Sequence, residues 1–318
     1  MKSYSTSHLI IPYLFGLLSA PWRFSIVFLS SVIGVSHDHL TRTLQLRFDW
    51  FGVLRKLLIG HDLTSGYLII DETEVDKSYA KHIQGCSWYK SYKKKHSMFG
   101  LHLVVLVWSD GKQTIPLGWQ LYQKGSGITK IDLALKLLRY GVETLKIEPE
   151  AVLFDAFYAS ERILKYLVNN QLVFCSQLPK NRLFNHQQLK TINKNRPYWD
   201  GIGTIKGGIH LRLVKNRKKY YVTNNHSLSR KGVLCLYQKR WVIEEFFRVM
   251  KSQLGMENCQ ARSIRAQENH IGSCFMLFVL LQDMAEKTQM TVYQIKQRAT
   301  SEYGFIQQTD LMRLLAPA

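Results

Sequence analysis

The alternation of apolar and polar positions divides the chain into three textures. Over residues 1–66, short apolar runs recur at helical spacing with few β-branched clusters, which predicts a small helical region. Residues 24–33 read as one helix, Gly34 as a turn and Ser36 as the N-cap of a second helix that carries Leu40 and Leu44. Helix, glycine turn and capped helix is the outline of a helix-turn-helix, with His37, His39, Thr41 and Arg42 as candidate phosphate or base contacts. Two core helices of a small bundle would show the same pattern.

From residue 67 the texture changes to strands. Residues 67–71 form an apolar run closed by Asp71, and two further strands are predicted over 97–108 and 113–122. Asp110 and Gly111 between the last two are a hairpin signal, so those strands are expected to pair antiparallel. Ile131, Leu135, Leu138 and Val142 then recur at helical spacing. Residues 151–155 repeat the apolar run with a terminal acid, Asp155; a helix over 160–169 and a buried strand over 172–176 follow. This order predicts an α/β fold, a mixed sheet flanked by helices with two strands that each end in an aspartate. Residues from about 180 to 225 are polar and basic with short strand-like pieces, which predicts a β-rich insertion. The remainder is again helical, giving expected domains at 1–66 and 67–318.

Composition narrows the class of function. With 318 residues, 46% hydrophobic and 21% charged, the chain has enough material for a proper core and is not a disordered or repetitive sequence. Its 43 Lys and Arg against 23 Asp and Glu leave a net charge of +20, a field that favours a polyanion such as nucleic acid. Five widely spaced cysteines without a Cys-x-x-Cys pair argue against a disulfide framework or a zinc site and fit a reducing cytosol. The most apolar stretch, 9–35, is interrupted by Pro12, Gly16, Pro21 and Arg23, short of the roughly 20 residues that span a bilayer. A cytoplasmic protein at the nucleoid, without a membrane partner, is expected.

Asp71 and Asp155 stand at the carboxyl ends of predicted buried strands, where open sheets place ligands. With a third acid they would form an oxygen-rich site suited to Mg²⁺. Over residues 236–254 a single helix is predicted, and at about 100° per residue Tyr237, Arg240, Glu244, Arg248 and Lys251 fall within a wedge of roughly 80°. A solvated face with an ordinary Arg240–Glu244 pair at i,i+4 accounts for the same charges. Glu74 and Asp76 compete with Asp71, Asp110 reads as a turn residue, and Glu245 points away from Glu244.

The spacing of Tyr237, Arg240, Glu244 and Lys251 resembles the Tyr-Arg-Glu-Lys signature of bacterial insertion-sequence DDE transposases, the group named after insertion sequence four. Residues 241–251 and 260–270 also resemble that group's carboxy-terminal helices. Ile69, Ile70, Asp71, Glu72 and Thr73 are similar to its first aspartate block, and residues 153–160 to its second. The resemblance spans roughly residues 67–286 and departs in two places. Glu72 stands where relatives often carry a second aspartate, and the amino-terminal region is short for a DNA-end-binding domain.

The resemblance implies a ribonuclease-H-like fold, interrupted by the β-rich insertion, with Asp71, Asp155 and Glu244 as the catalytic metal ligands. Asp71 would bridge two Mg²⁺ ions, with Mn²⁺ as an alternative, and Asp155 and Glu244 would be the outer ligands. It further implies that Arg240 and Lys251, together with Arg248, grip phosphates and that Tyr237 contacts a terminal phosphate or a flipped base. Lys93, Lys94 and Lys95 in one basic run, and Trp199 in the insertion, are further DNA-binding candidates; a second basic run covers residues 215–219. The expected partners are double-stranded DNA at terminal repeats and target DNA, bound by a homodimer, with hairpin-ended intermediates. An inactive DNA-end-binding protein or inhibitor, and a nuclease of the same fold without strand transfer, are the competing readings.

Overall fold

The computed structural model describes residues 9–21, 24–59, 61–90, 96–302, 305–307, 309 and 311. Among the described residues four short helices come first: α1 (Ile11–Ser19), α2 (Ile26–Ile33), α3 (His37–Thr43) and α4 (Trp50–Leu57). Ser25 caps α2 through the Phe28 amide, and Gly34 ends it in the left-handed conformation at φ 67° that a residue without Cβ adopts at little cost. Ser36 occupies the N-cap position of α3, but its hydroxyl makes no capping hydrogen bond.

The strands are β1 (Tyr67–Asp76), β2 (Ser87–Lys90), β3 (Ser97–Ser109), β4 (Thr114–Tyr122), β5 (Ala151–Phe154) and β6 (Phe174–Leu178), followed by β7 (Leu183–Phe184), β8 (Gln187–Gln188), β9 (Tyr198–Ile205), β10 (Ile209–Asn216) and β11 (Lys219–Thr223). Helix α5 (Lys130–Arg139) lies between β4 and β5, and α6 (Glu161–Asn169) between β5 and β6. After the strands come α7 (Arg230–Gln238), α8 (Val242–Ser252), α9 (Ile264–Thr288) and α10 (Val292–Ser301). Asp110 plays the turn role expected of it, its Oδ1 accepting from the amides of Lys112 and Gln113.

The strands join in the order β2-β3-β1-β5-β6-β11-β10-β9-β7-β8, with β4 on the outer edge of β3 beyond the β2 pairing. Strands β1, β5 and β6 are parallel, whereas β3 and β11 flank them antiparallel. This is the ribonuclease-H-like mixed sheet flanked by helices that the resemblance implies. The β-rich segment does not stand apart from it, because β11 pairs directly with β6 and carries the sheet onward.

Alternation along the central strands sends side chains to two cores. Ile69, Val75, Leu103, Val105 and Leu153 join the core built with α1, α4, α8 and α9. Leu68, Ile70, Val104, Leu106, Val152 and Phe154 join the opposite core with α5 and α6. Helix α9 is buried on nearly every face, as a layer-spanning helix must be. Its Gly272 receives the Trp50 ring, leaving no room for a side chain. Trp50 Nε1 donates 2.9 Å to Asn269 Oδ1 on the same helix, tying α4 to it. Among the described residues no helix is long and apolar enough to cross a membrane.

Two expectations are corrected. Strand β1 does not end at Asp71 but continues to Asp76, because β3 keeps pairing with it as far as Asp76↔Gly100 while β5 stops at Phe154. The single helix expected over 236–254 is broken: Lys239–Trp241 tighten into a 3₁₀ turn between α7 and α8. Such a turn advances about 120° per residue, so a wheel drawn at 100° loses its register across it.

Candidate active site

The parallel register of β1 and β5 pairs Ile70 with Phe154, so the next residues, Asp71 and Asp155, emerge side by side. Each is held locally. Asp71 Oδ1 accepts from the Glu72 amide at 2.9 Å. Asp155 Oδ1 accepts from the amides of Phe157 at 2.9 Å and Tyr158 at 3.3 Å, an Asx turn that fixes the carboxylate just beyond the strand end. The Ser176 hydroxyl of β6 donates 3.1 Å to the Asp155 carbonyl, which secures the same turn from the neighbouring strand.

Glu244 lies in the first turn of α8, directly after the 3₁₀ turn that carries Arg240. Arg240 joins it to the sheet: its Nη2 donates 3.2 Å to Glu244 Oε1, and its Nη1 donates to Asp71 Oδ2. The Tyr237 ring lies 5.8 Å from the Arg240 guanidinium and meets Tyr221 of β11 edge-on at 5.0 Å. Tyr237, Arg240 and Glu244 therefore converge on the two aspartates even though the helix beneath them is broken.

The electrostatics follow from this crowding. Burial raises the Asp71 carboxyl to about 7; Arg240 pulls it down, while the Asp155 and Glu244 charges push it up. Asp155 is raised by burial, against its backbone hydrogen bonds and Arg240. Burial works against the charge on Arg240, but Asp71, Tyr237 and Glu244 more than offset it and raise its pKa. Tyr237 is pushed up to about 12 by burial, so its hydroxyl stays protonated. The arrangement is a concentration of negative charge that attracts cations, with a guanidinium bridging two of its three members.

Among the described residues no group of His, Cys, Asp and Glu is arranged as it stands to hold a metal ion. The chemistry of the donor set suits a hard divalent cation, since three carboxylates supply oxygen ligands. Direct ligation by both Asp71 and Glu244 requires Arg240 to move aside.

Other expected contacts are placed differently. Arg248 follows Glu244 by one turn of α8, but its guanidinium pairs with Glu245 at 2.7 Å, and Tyr293 of α10 donates to that same glutamate at 3.4 Å, so it is drawn to the flank toward α10. The ion pair with Glu245, three residues before it on the same helix, is the reason for that placement. Lys251 Nζ donates 2.5 Å to the Glu74 carbonyl and lies 3.0 Å from Glu257, clamping α8 to the far end of β1. Trp199 packs edge-on against Phe184 at 6.4 Å and under Gly201, within the β-rich segment. Lys93, Lys94 and Lys95 lie outside the described residues. In the second basic run Lys215 is buried and donates 2.8 Å to the Asn193 carbonyl, a structural contact.

A second cluster beside the acids escaped the sequence reading. Glu72, one step from Asp71 and on the opposite face of β1, accepts 3.1 Å from the Tyr158 hydroxyl and lies 2.9 Å from Lys130 Nζ. Lys130 opens α5 just after the Thr129 capping box and sits over the rings of Tyr122 at 5.6 Å and Phe157 at 5.8 Å. The signal for it in the sequence was a pair of aromatics, Phe157 and Tyr158, two and three residues after the second acid.

Residues 64–280 match the family described as the transposase DDE domain, a span that contains Asp71, Asp155 and Glu244. No curated protein matches the chain.

Proposed function

The chain belongs to the transposase DDE domain family; from that premise we propose that it cuts phosphodiester bonds at the ends of a DNA element and joins the freed 3′ hydroxyls to target DNA. Membership makes it a polynucleotidyl-transferase-type enzyme with DNA as its partner. The observation that carries the finer reading is the convergence of Asp71 from β1, Asp155 after β5 and Glu244 from α8, with Arg240 bonded to the first and the last. The signature formed by Tyr237, Arg240, Glu244 and Lys251 favours the group named after insertion sequence four.

In this reading Asp71, Asp155 and Glu244 would hold Mg²⁺, or Mn²⁺ in its place. A pair of such ions, when bound, lowers the pKa of an attacking water and stabilises the leaving 3′ oxygen. The rest falls to the chain itself. Three close carboxylates repel the phosphate backbone, and Arg240, already at that spot, turns from Asp71 and Glu244 to the phosphate of the cut strand. Tyr237, kept protonated, donates a hydrogen bond to a terminal phosphate from the wall beside it. Lys251, held at the far end of β1 by the Glu74 carbonyl and Glu257, is the second cation assigned to those phosphates. The α2–α3 pair is assigned to reading the element ends, in a region separate in role from residues 67–318, and two copies pair two ends as a homodimer at the nucleoid. Hairpin-ended intermediates fit the same scheme.

The test is Mg²⁺-dependent nicking of labelled DNA carrying the sequences that flank the gene, with Glu244→Gln beside the wild type. Nicking at the element boundary by the wild type alone is expected. Tight binding with nicking by neither protein would overturn the reading and point to an end-binding inhibitor.

A further inference from the structure

Phe157 stands two residues after Asp155 and is 52% exposed, although its neighbour Tyr158 is fully buried. It is nevertheless held firmly. Its amide donates 2.9 Å to Asp155 Oδ1, its ring meets Tyr158 edge-on at 5.1 Å and 86°, and Lys130 Nζ lies 5.8 Å from its centroid. Tyr158 and Lys130 are themselves anchored on Glu72, at 3.1 and 2.9 Å. An aromatic ring is thus braced by Tyr158 and Lys130, open to solvent over half its surface, and tied through its backbone to one of the three acids.

Its position relative to the other site residues adds to this. Asp71 shares its face of β1 with Ile69 and Val75, whereas Glu72 shares the opposite face with Leu68 and Ile70. Arg240, bonded to Asp71, and the Phe157–Lys130 pair, gathered around Glu72, therefore flank the acids from opposite sides. A strand whose phosphate sits at the acids has a guanidinium and a tyrosine on one side of it. On the other side it has a flat apolar ring next to an ammonium. That second combination suits a nucleobase, since every base has a π-face and stacking on an aromatic tolerates any sequence.

We propose that Phe157 is a base-stacking residue: the nucleotide next to the phosphate held at Asp71, Asp155 and Glu244 lays its base on the exposed Phe157 ring, beside Lys130. The proposal rests on the DNA-cleavage reading above and adds to it the residue that sets where along the strand the cut falls. The rigid link from the Phe157 amide to the Asp155 carboxylate gives the base and the scissile phosphate a constant offset.

The test uses the full chain and a duplex carrying the element boundary, with 2-aminopurine placed in turn at each of the three positions on either side of it. Ca²⁺ replaces Mg²⁺ during fluorescence measurements so that the DNA stays uncut. For the wild type, quenching at one position next to the boundary is expected. Phe157→Ala should lose quenching at that position alone, bind the duplex about five- to a hundredfold more weakly and scatter the nick sites in Mg²⁺. Phe157→Trp should restore all three readouts and Phe157→Leu none, while all variants keep the wild-type melting temperature because the ring is half exposed. An unchanged quenching pattern and nick position in Phe157→Ala, with an active wild type, would overturn this inference alone. A wild type that neither quenches nor nicks would overturn the cleavage reading and this one together.

Discussion

Removing Arg240 is the sharpest perturbation of the site, because that guanidinium bridges Asp71 and Glu244 in a largely buried setting, with only 14% of its side chain exposed. Breaking a buried pair by removing one partner costs about 3–5 kcal/mol, since the other charge stays behind uncompensated. Some solvent reaches the site through Glu244, so Arg240→Gln is expected near the lower end, about 3 kcal/mol at pH 8. For a chain of 318 residues that is a fall in melting temperature of roughly 4–5 °C. The loss should depend on pH. With its folded pKa at about 7 against an ordinary 3.8, Asp71 binds more protons in the folded state throughout that window. Stability associated with Asp71 is therefore full below its unfolded pKa and falls as pH rises through about 7. Without Arg240 the folded pKa moves higher still, so the fall keeps its slope and extends to higher pH. At pH 5 Asp71 is protonated in both proteins and only the Glu244 contact is lost, so the destabilisation should shrink by about 1.4 kcal/mol, the worth of one proton over the single pH unit between about 7 and 8. Urea denaturation followed by circular dichroism at pH 5 and pH 8 measures both numbers. Equal destabilisation at the two pH values would refute the buried Arg240–Asp71 pair as the source.

Asp71→Asn should abolish nicking of the boundary duplex while leaving DNA affinity equal or higher, because one negative charge facing the phosphates is gone; filter binding and a nicking gel read the two effects separately, and retained nicking would remove Asp71 from the metal-binding set. Gly272→Ala should destabilise the fold by about 1–3 kcal/mol despite alanine's better helix propensity, because the added methyl meets the Trp50 ring; a thermal melt checks the sign, and a stabilised variant would contradict the packing of α4 on α9.

Much of the scaffold was readable from local chemistry. The apolar run of β5 with Asp155 behind it, the Asp110 hairpin, the helix expected over 160–169 and the Gly34 turn between α2 and α3 all arise from residues within one or two turns of each other. The candidate acids were also visible, Asp71 and Asp155 from strand patterning and Glu244 from the resemblance that the match to the transposase DDE domain family supports in its coarser form. Readings that assumed regular geometry over a long stretch failed. The 3₁₀ turn at Lys239–Trp241 split the single helix expected over 236–254, and continued pairing with β3 carried β1 past Asp71.

What the sequence determined by itself was the inventory: which segments bury an apolar face, where the turns fall, how positive the chain is and which acids stand at strand and helix ends. These depend on side-chain periodicity and on hydrogen bonds between near neighbours, which the order of residues already contains. Only the tertiary structure decided who faces whom. The parallel register of β1 and β5 set Asp155 beside Asp71, Arg240 reached Asp71 from 169 residues away, and Glu72 gathered Lys130 and Tyr158 beneath an exposed Phe157. Those contacts are set by packing between distant elements, where a shift of one residue in register would send each of the β1 acids to the opposite face of the sheet.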